Sequence, residues 1–167
     1  FWTMLDIMKH VKYHNPKADF LIENVKMKKE FEQYITTHTE NALGKVHKIL
    51  INSALVSAQN RNRYYWTNFP VTQPEDKGLN WGDVREWLAD DKYYYSKAAF
   101  NWLSNHAKIK GKDVTIYTNS GKMQMVEASH FKNYSAQRFF GALDHGGIRY
   151  VTPRECFRLQ TVPEYHI

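Results

Sequence analysis

Helical and extended apolar spacing alternate along residues 1–70, and that alternation narrows the fold to an α/β sheet covered by helices. Phe1, Leu5, Met8 and Val11 recur at near-helical intervals. The helix they define should run to about Tyr13 and stop at His14-Asn15-Pro16, where the proline blocks continuation. No capping residue precedes it, so the chain reads as cut inside a helix. Ala18-Asp19-Phe20-Leu21-Ile22 is a short apolar run of the kind found in a buried parallel strand, ending at Glu23-Asn24. A second helix is expected over Lys28–His38, with Phe31, Tyr34, Ile35 and His38 on one face. Residues Lys45–Ser57, with Val46, Ile49, Ile51 and Val56, predict one strand or a bent pair, and Tyr64–Phe69 predicts another, closed by Pro70. So few strands make only part of a doubly wound sheet.

From Val71 the character changes. Thr72–Gly78 reads as a polar linker. Asn80 caps a short helix predicted to reach Ala89, with Trp81, Val84, Trp87 and Leu88 inward. Ser96 caps a second one to His106, burying Ala99, Trp102 and Leu103. Val114–Tyr117 and Lys122–Val126 flank Asn119-Ser120-Gly121, a hairpin-like turn signal. Ile148–Val151 predicts one more strand. Thr152 at the N-cap, Pro153 at N1 and Glu155 at N3 then form a strong helix start.

Bulk properties exclude several classes. No apolar run approaches the roughly 20 residues that span a bilayer, and Phe1-Trp2-Thr3-Met4 is not a secretory n-region. One cysteine, Cys156, rules out an internal disulfide framework and suits a reducing cytoplasm. No metal is called for. The net charge of +6 favours a polyanionic partner. The aromatic share of 15% is read from composition as a tyrosine-rich core and surface, with stacking on nucleic acid the sharper alternative.

Three segments carry candidate chemistry. Glu23-Asn24-Val25 places a carboxylate at the C-terminal end of a strand, where open α/β sheets hold their sites. Partly withdrawn from water there, Glu23 could share a proton with a ring nitrogen, or equally could cap the next helix. Gln59-Asn60-Arg61-Asn62-Arg63 enters an extended segment, so Arg61 and Arg63 should share a face and offer donors to a carboxylate, a phosphate or a base carbonyl. A solvated basic edge is the other reading. Arg149–Gln160 reads as a strand, a tight cap and a helix, a structural element built on Thr152, Pro153, Arg154 and Glu155.

In this order, the three segments resemble the conserved blocks of the DNA cytosine-5 methyltransferases. Glu23-Asn24-Val25 is similar to that family's catalytic glutamate block, and Gln59–Arg63 to its Gln-x-Arg-x-Arg block. Arg149–Gln160 is similar to its Thr-Pro-Arg-Glu-Cys block, and Ser135–Gly141 is similar to phage and prophage members. The resemblance implies a partial Rossmann-like methyltransferase sheet with a smaller, mixed α+β target-recognition region. It divides the chain into 1–70, the second half of the catalytic domain, 71–147, the target-recognition region, and 148–167, a return strand and helix.

Function follows by implication from the same resemblance. The complete protein would transfer methyl from S-adenosylmethionine to C5 of a cytosine flipped from double-stranded DNA. Glu23 would be the catalytic carboxylate and Asn24 would shape its loop. Arg61 and Arg63 would contact the base at O2 and support the site. Gln59, Ser129, Lys132, Asn133 and Arg138 would contact DNA. The family's Pro-Cys nucleophile and glycine-rich cofactor loop are absent, and Cys156 aligns with a structural cysteine, expected to be packed and inert. These residues alone are therefore expected to be inactive, the N-terminal half lying in cis or on a separate subunit. The alternative is a non-catalytic DNA-binding or regulatory relative. A cytoplasmic or nucleoid-associated location is expected.

Overall fold

In a computed structural model of the chain, residues 1–127 and 140–166 are described. They form two compact units: residues 1–52 with 62–75, and residues 53–61 with the chain from Asp76 onward. No helix among the described residues is long and apolar enough to cross a membrane.

The first unit is a helix-covered sheet. Helix α1 (Trp2–His14) ends as predicted before Pro16, and its C-cap Asn15 donates its amide to Val11 O. Strand β1 (Leu21–Val25) leads to α2 (Lys29–Leu43), which Gly44 ends at a φ of +87°. That left-handed conformation favours a residue without Cβ. Strand β2 (His47–Asn52) is followed in sequence by β3 (Gln59–Asn60) and β4 (Asn62–Thr67). The sheet order is β1-β4-β2, with both outer strands antiparallel to β4. The expected parallel pairing of the first strand is thus corrected. Its hydrogen-bonded neighbour is β4, which arrives after the chain has reversed, so β1 and β2 are parallel only to each other, across β4. Nor is β1 buried on both sides: it alternates, with Ile22 buried while Leu21 and Val25 are exposed.

Leu5, Phe20, Ile22 and Trp66 form this unit's core, with Met8 of α1 and Ile35, Ala42 and Leu43 of α2 against them. The indole of Trp66 is fully buried and donates through Nε1 to Thr36 Oγ1 at 2.7 Å, so its one polar atom is satisfied. The buried face of α2 differs from the expected one. Phe31 and Tyr34 are exposed, while Glu32 and Thr39 are buried. The reason is chemical: Glu32 pairs with Lys48 of β2, and Thr39 returns its hydroxyl to Ile35 O at 2.8 Å. Tyr34 and His38 instead pack edge-on against Trp2.

The second unit is built from short elements. Helices α3 (Trp81–Val84) and α4 (Lys97–Ile109) precede strands β5 (Thr115–Tyr117) and β6 (Met123–Gln124). Strands β7 (Phe140–Asp144) and β8 (Gly147–Arg149) and helix α5 (Pro153–Leu159) follow. β5 pairs parallel with β7, β7 antiparallel with β8, and β6 parallel with β3. The expected β5–β6 hairpin does not form. Its turn is used otherwise: Asn119 O and Gly121 O accept from Gly82 N and Trp81 N at 3.0 and 2.8 Å, satisfying the first amides of α3.

Trp81, Val84, Met123, Ala142 and Leu159 form the core of this unit, and Leu103 and Ala107 a smaller cluster beneath α4. Helix α3 stops at Val84, short of the predicted Ala89, which leaves Trp87 and Leu88 exposed. Ser96 caps α4 as expected, accepting from Ala99 N at 3.1 Å, but Trp102 is exposed and Ala107 takes the inward position.

Candidate functional site

Glu23 sits third in β1, directly opposite Tyr65 of β4, while Arg63 lies opposite Val25. Opposed residues of an antiparallel pair share a face, so Glu23 and Arg63 are diagonal neighbours on the sheet face away from Ile22 and Trp66. A long side chain spans that diagonal. Arg63 Nε donates to Glu23 Oε1 at 3.1 Å, and Nη1 donates to Asn62 O at 2.9 Å. The Arg63 side chain is 12% exposed and that of Glu23 is 39% exposed. The arginine is thus the packed, fixed partner and the carboxylate the accessible one.

Asn24 follows on the opposite face, and its Oδ1 accepts from Val25 N at 2.8 Å. This local bond fixes the strand end just after Glu23. Arg61 lies between β3 and β4 and belongs to neither strand. Its carbonyl accepts from Ser53 N at 3.0 Å.

Gln59 is turned inward. It is 2% exposed, donates through Nε2 to Leu159 O at 2.6 Å, and accepts at Oε1 from Val126 N at 3.1 Å. Ser57 Oγ donates to the same Leu159 carbonyl at 2.6 Å. The two side chains therefore cap the C-terminal end of α5, whose last carbonyls lack intrahelical donors. The remaining candidate DNA contacts, Ser129, Lys132, Asn133 and Arg138, lie outside the described residues.

The N-terminal end of α5 is held more elaborately. Thr152 Oγ1 accepts from Glu155 N at 3.2 Å and Glu155 Oε2 from Thr152 N at 2.8 Å, the reciprocal capping box that the sequence predicts around Pro153. Arg154 stays exposed. Sequence reasoning missed the rest. The Glu155 carboxylate also takes Arg149 Nη1 and Nη2 at 2.8 and 2.6 Å, and Glu86 N at 2.7 Å. Arg149 Nε donates to Asp144 Oδ2 at 2.5 Å, and Tyr94 OH donates to Asp144 Oδ1 at 2.6 Å. Arg149 and Glu155 are both 0% exposed. Burial opposes charge on Arg149, but its bonds to Glu155 and Asp144 outweigh it and hold the guanidinium above its ordinary value. Burial likewise pushes Asp144 upward, and the Tyr94 and Arg149 hydrogen bonds overcome this to leave it below the usual carboxylate range. The one signal available in the sequence was the arginine of the Arg149–Glu155 segment itself.

Cys156 rides on α5. Burial first, and the Glu155 charge second, push its thiol up to about 11, so little thiolate exists near neutrality.

No protein-family model matches the chain. It is 27% identical over 198 residues to the type II methyltransferase M.HpaII of Haemophilus parainfluenzae, an alignment covering 97% of this chain and 55% of that protein. It is 27% identical over 185 residues to the type II methyltransferase M1.ScrFI of Lactococcus lactis subsp. cremoris, covering 97% of this chain and 47% of that one. The chain thus spans about half the length of these curated relatives. Among solved structures, the fold is similar to the Schizosaccharomyces pombe Dnmt2 methyltransferase (TM-score 0.64, 19% identity, 98% of this chain and 60% of that one). It is also similar to a Spodoptera frugiperda DNMT2 mutant (TM-score 0.63, 15% identity, 98% and 60%).

Proposed function

From the relation of this chain to the DNA cytosine-5 methyltransferases, we propose that the whole protein to which it contributes transfers a methyl group to C5 of cytosine in double-stranded DNA. The observation that carries this reading is the accessible Glu23 carboxylate on β1, whose Oε1 accepts from Arg63 Nε at 3.1 Å. A cytosine turned out of the duplex offers its exocyclic amine as a donor and N3 as an acceptor. A carboxyl group can meet both. As a nucleophile adds to C6, charge develops on the ring, and a proton shared between Glu23 and N3 stabilises it.

In this reading Glu23 is the catalytic residue. Arg63 is a positioning residue that acts through it, and Asn24 fixes the strand end. Arg61 is assigned to support of the base. Gln59 acts at one remove, by anchoring α5. Cys156 is not the nucleophile: it is packed on α5 and reluctant to ionise. A cysteine outside residues 1–167 would add to C6, contributed by a longer form of the same chain or by a second subunit, and residues 1–167 alone would be inactive.

S-adenosylmethionine would supply the methyl group. The described residues do not fit it: none of their strands leads into a helix through a glycine-rich turn, and β1 reaches α2 through Lys26-Met27-Lys28. No step through the donor is assigned to this chain. The type II names of the two bacterial relatives favour a restriction-modification setting; a place in the cytoplasm or on the nucleoid, in a bacterium or a phage-infected host, is proposed with it.

The test is direct. The whole protein is incubated with unmethylated duplex DNA and a methyl-labelled donor, and the DNA is digested to nucleosides. Label in 5-methylcytosine supports the reading. Label on an exocyclic amine overturns it, and DNA binding without methylation assigns the chain to a non-catalytic, DNA-binding or regulatory relative.

A further inference from the structure

In the second unit, a cleft of about 690 Å³ is lined by Lys77, Asp83, Arg85, Trp87, Arg158 and Glu164, among others. Arg85 is the unusual member. It is only 5% exposed, and Nη1 donates to Asn119 Oδ1 at 2.6 Å. Its Nε and Nη2 have no hydrogen-bond partner among the described residues. These two nitrogens form one edge of the guanidinium, with two parallel N–H donors, the fork that grips an oxyanion bidentately. Leaving such donors buried and unpaired is costly, and native structures seldom do so without a ligand, ion or water.

The surroundings add direction. Trp87 lies with its ring centroid 4.6 Å from the Arg85 guanidinium carbon, an arrangement that fixes the plane of the fork. The two carboxylates of the cleft are already engaged. Asp83 Oδ2 accepts from Asn80 N at 2.7 Å, and Glu164 Oε1 accepts from Arg158 Nε at 2.5 Å. Three cations (Lys77, Arg85, Arg158) against two carboxylates (Asp83, Glu164) leave one positive charge over. The cleft therefore suits a singly charged oxyanion that presents two oxygens to the fork, and it has room for groups attached to that anion.

We propose that the Arg85–Trp87 cleft is a binding site for a phosphate group, gripped by the Nε–Nη2 edge of Arg85 with Lys77 as the second cation. The phosphate can be free or carried as a phosphodiester of nucleic acid. The proposal is independent of the methyl-transfer reading, since neither cytosine nor a methyl donor enters its test.

The full chain is titrated with sodium phosphate at neutral pH, against sodium chloride and sodium acetate at matched ionic strength, with Tm and heat of binding as readouts. Phosphate should raise Tm saturably, well beyond chloride and acetate. Arg85→Met should weaken phosphate binding by at least about tenfold, the scale of a lost charge-assisted pair. Arg85→Lys keeps the cation and removes the fork; it should also weaken binding, and it carries the test if Arg85→Met does not fold. A shift no larger than that of chloride or acetate, or an equal shift in both variants, overturns the proposal. A short DNA duplex distinguishes the sources: affinity lost in Arg85→Lys at fixed salt assigns a phosphodiester, and unchanged affinity assigns free phosphate.

Discussion

Replacing Glu155 by alanine should cost more stability than any other single truncation on α5. The Glu155 carboxylate accepts two bonds from Arg149 and one each from Glu86 N and Thr152 N, all between 2.6 and 2.8 Å. Removing it leaves a guanidinium that is 0% exposed with only Asp144 as counter-charge. Breaking a buried pair on one side costs about 3–5 kcal/mol, and a lost capping interaction about 1 kcal/mol. The surviving Asp144 bond keeps the sum towards the lower end, so about 4 kcal/mol is expected, a large fraction of the roughly 5–15 kcal/mol that holds a domain together. Arg154→Ala, next to it but exposed, should stay within about 0.5 kcal/mol. Urea unfolding followed by tryptophan fluorescence reads both as shifts in midpoint at constant slope. If Glu155→Ala shifts the midpoint no more than Arg154→Ala does, the buried network is not what holds this unit.

The acid limb follows from Asp144, whose carboxyl lies below its ordinary value of 3.8. A depressed folded-state pKa contributes stability that is complete above the unfolded value and lost as pH falls through the folded one. Stability should therefore begin to drop below about pH 5 and go on falling as pH passes through the lower folded value, and Asp144→Asn should flatten that drop; equal slopes in the two proteins would refute the assignment. Cys156, pushed up to about 11, should react with thiol reagents much more slowly in the native chain than in urea, and Cys156→Ala should leave methylation by the whole protein intact. Loss of methylation in that variant would make Cys156 the nucleophile. With a net charge of +6, the chain should bind duplex DNA weakly, with affinity falling as salt rises; salt-independent binding, or none at low salt, would remove the electrostatic argument.

What the sequence revealed was local. Pro16 ends α1, Ser96 caps α4, and Thr152-Pro153-Glu155 opens α5, because each signal and the group it satisfies lie within four residues. What it hid was decided at a distance. Phe31 and Tyr34 have helical spacing, yet α2 turns Glu32 inward because Lys48 waits on β2. The turn signal at Asn119–Gly121 is real, but β5 pairs with β7 and β6 with β3, and its carbonyls serve α3. Trp87 and Leu88 looked inward only on the assumption that α3 continued past Val84. At the candidate site, the pairing of Glu23 with Arg63 depends on the antiparallel register of β1 and β4, which no spacing in one dimension contains. The fate of Gln59 is similar: its partners Leu159 and Val126 lie far along the chain, so a residue that looked like a surface donor proves to be an internal clamp.

The Glu23 carboxylate is the centre of this account, and one substitution tests it. In the whole protein, Glu23→Gln keeps the size of the side chain and an acceptor for Arg63 while removing the group that shares a proton with N3. Methylation of cytosine in duplex DNA should fall by about 10²–10⁴-fold, the usual contribution of a positioned acid–base group, with DNA affinity little changed. A Glu23→Gln protein that methylates at the full rate would contradict the account.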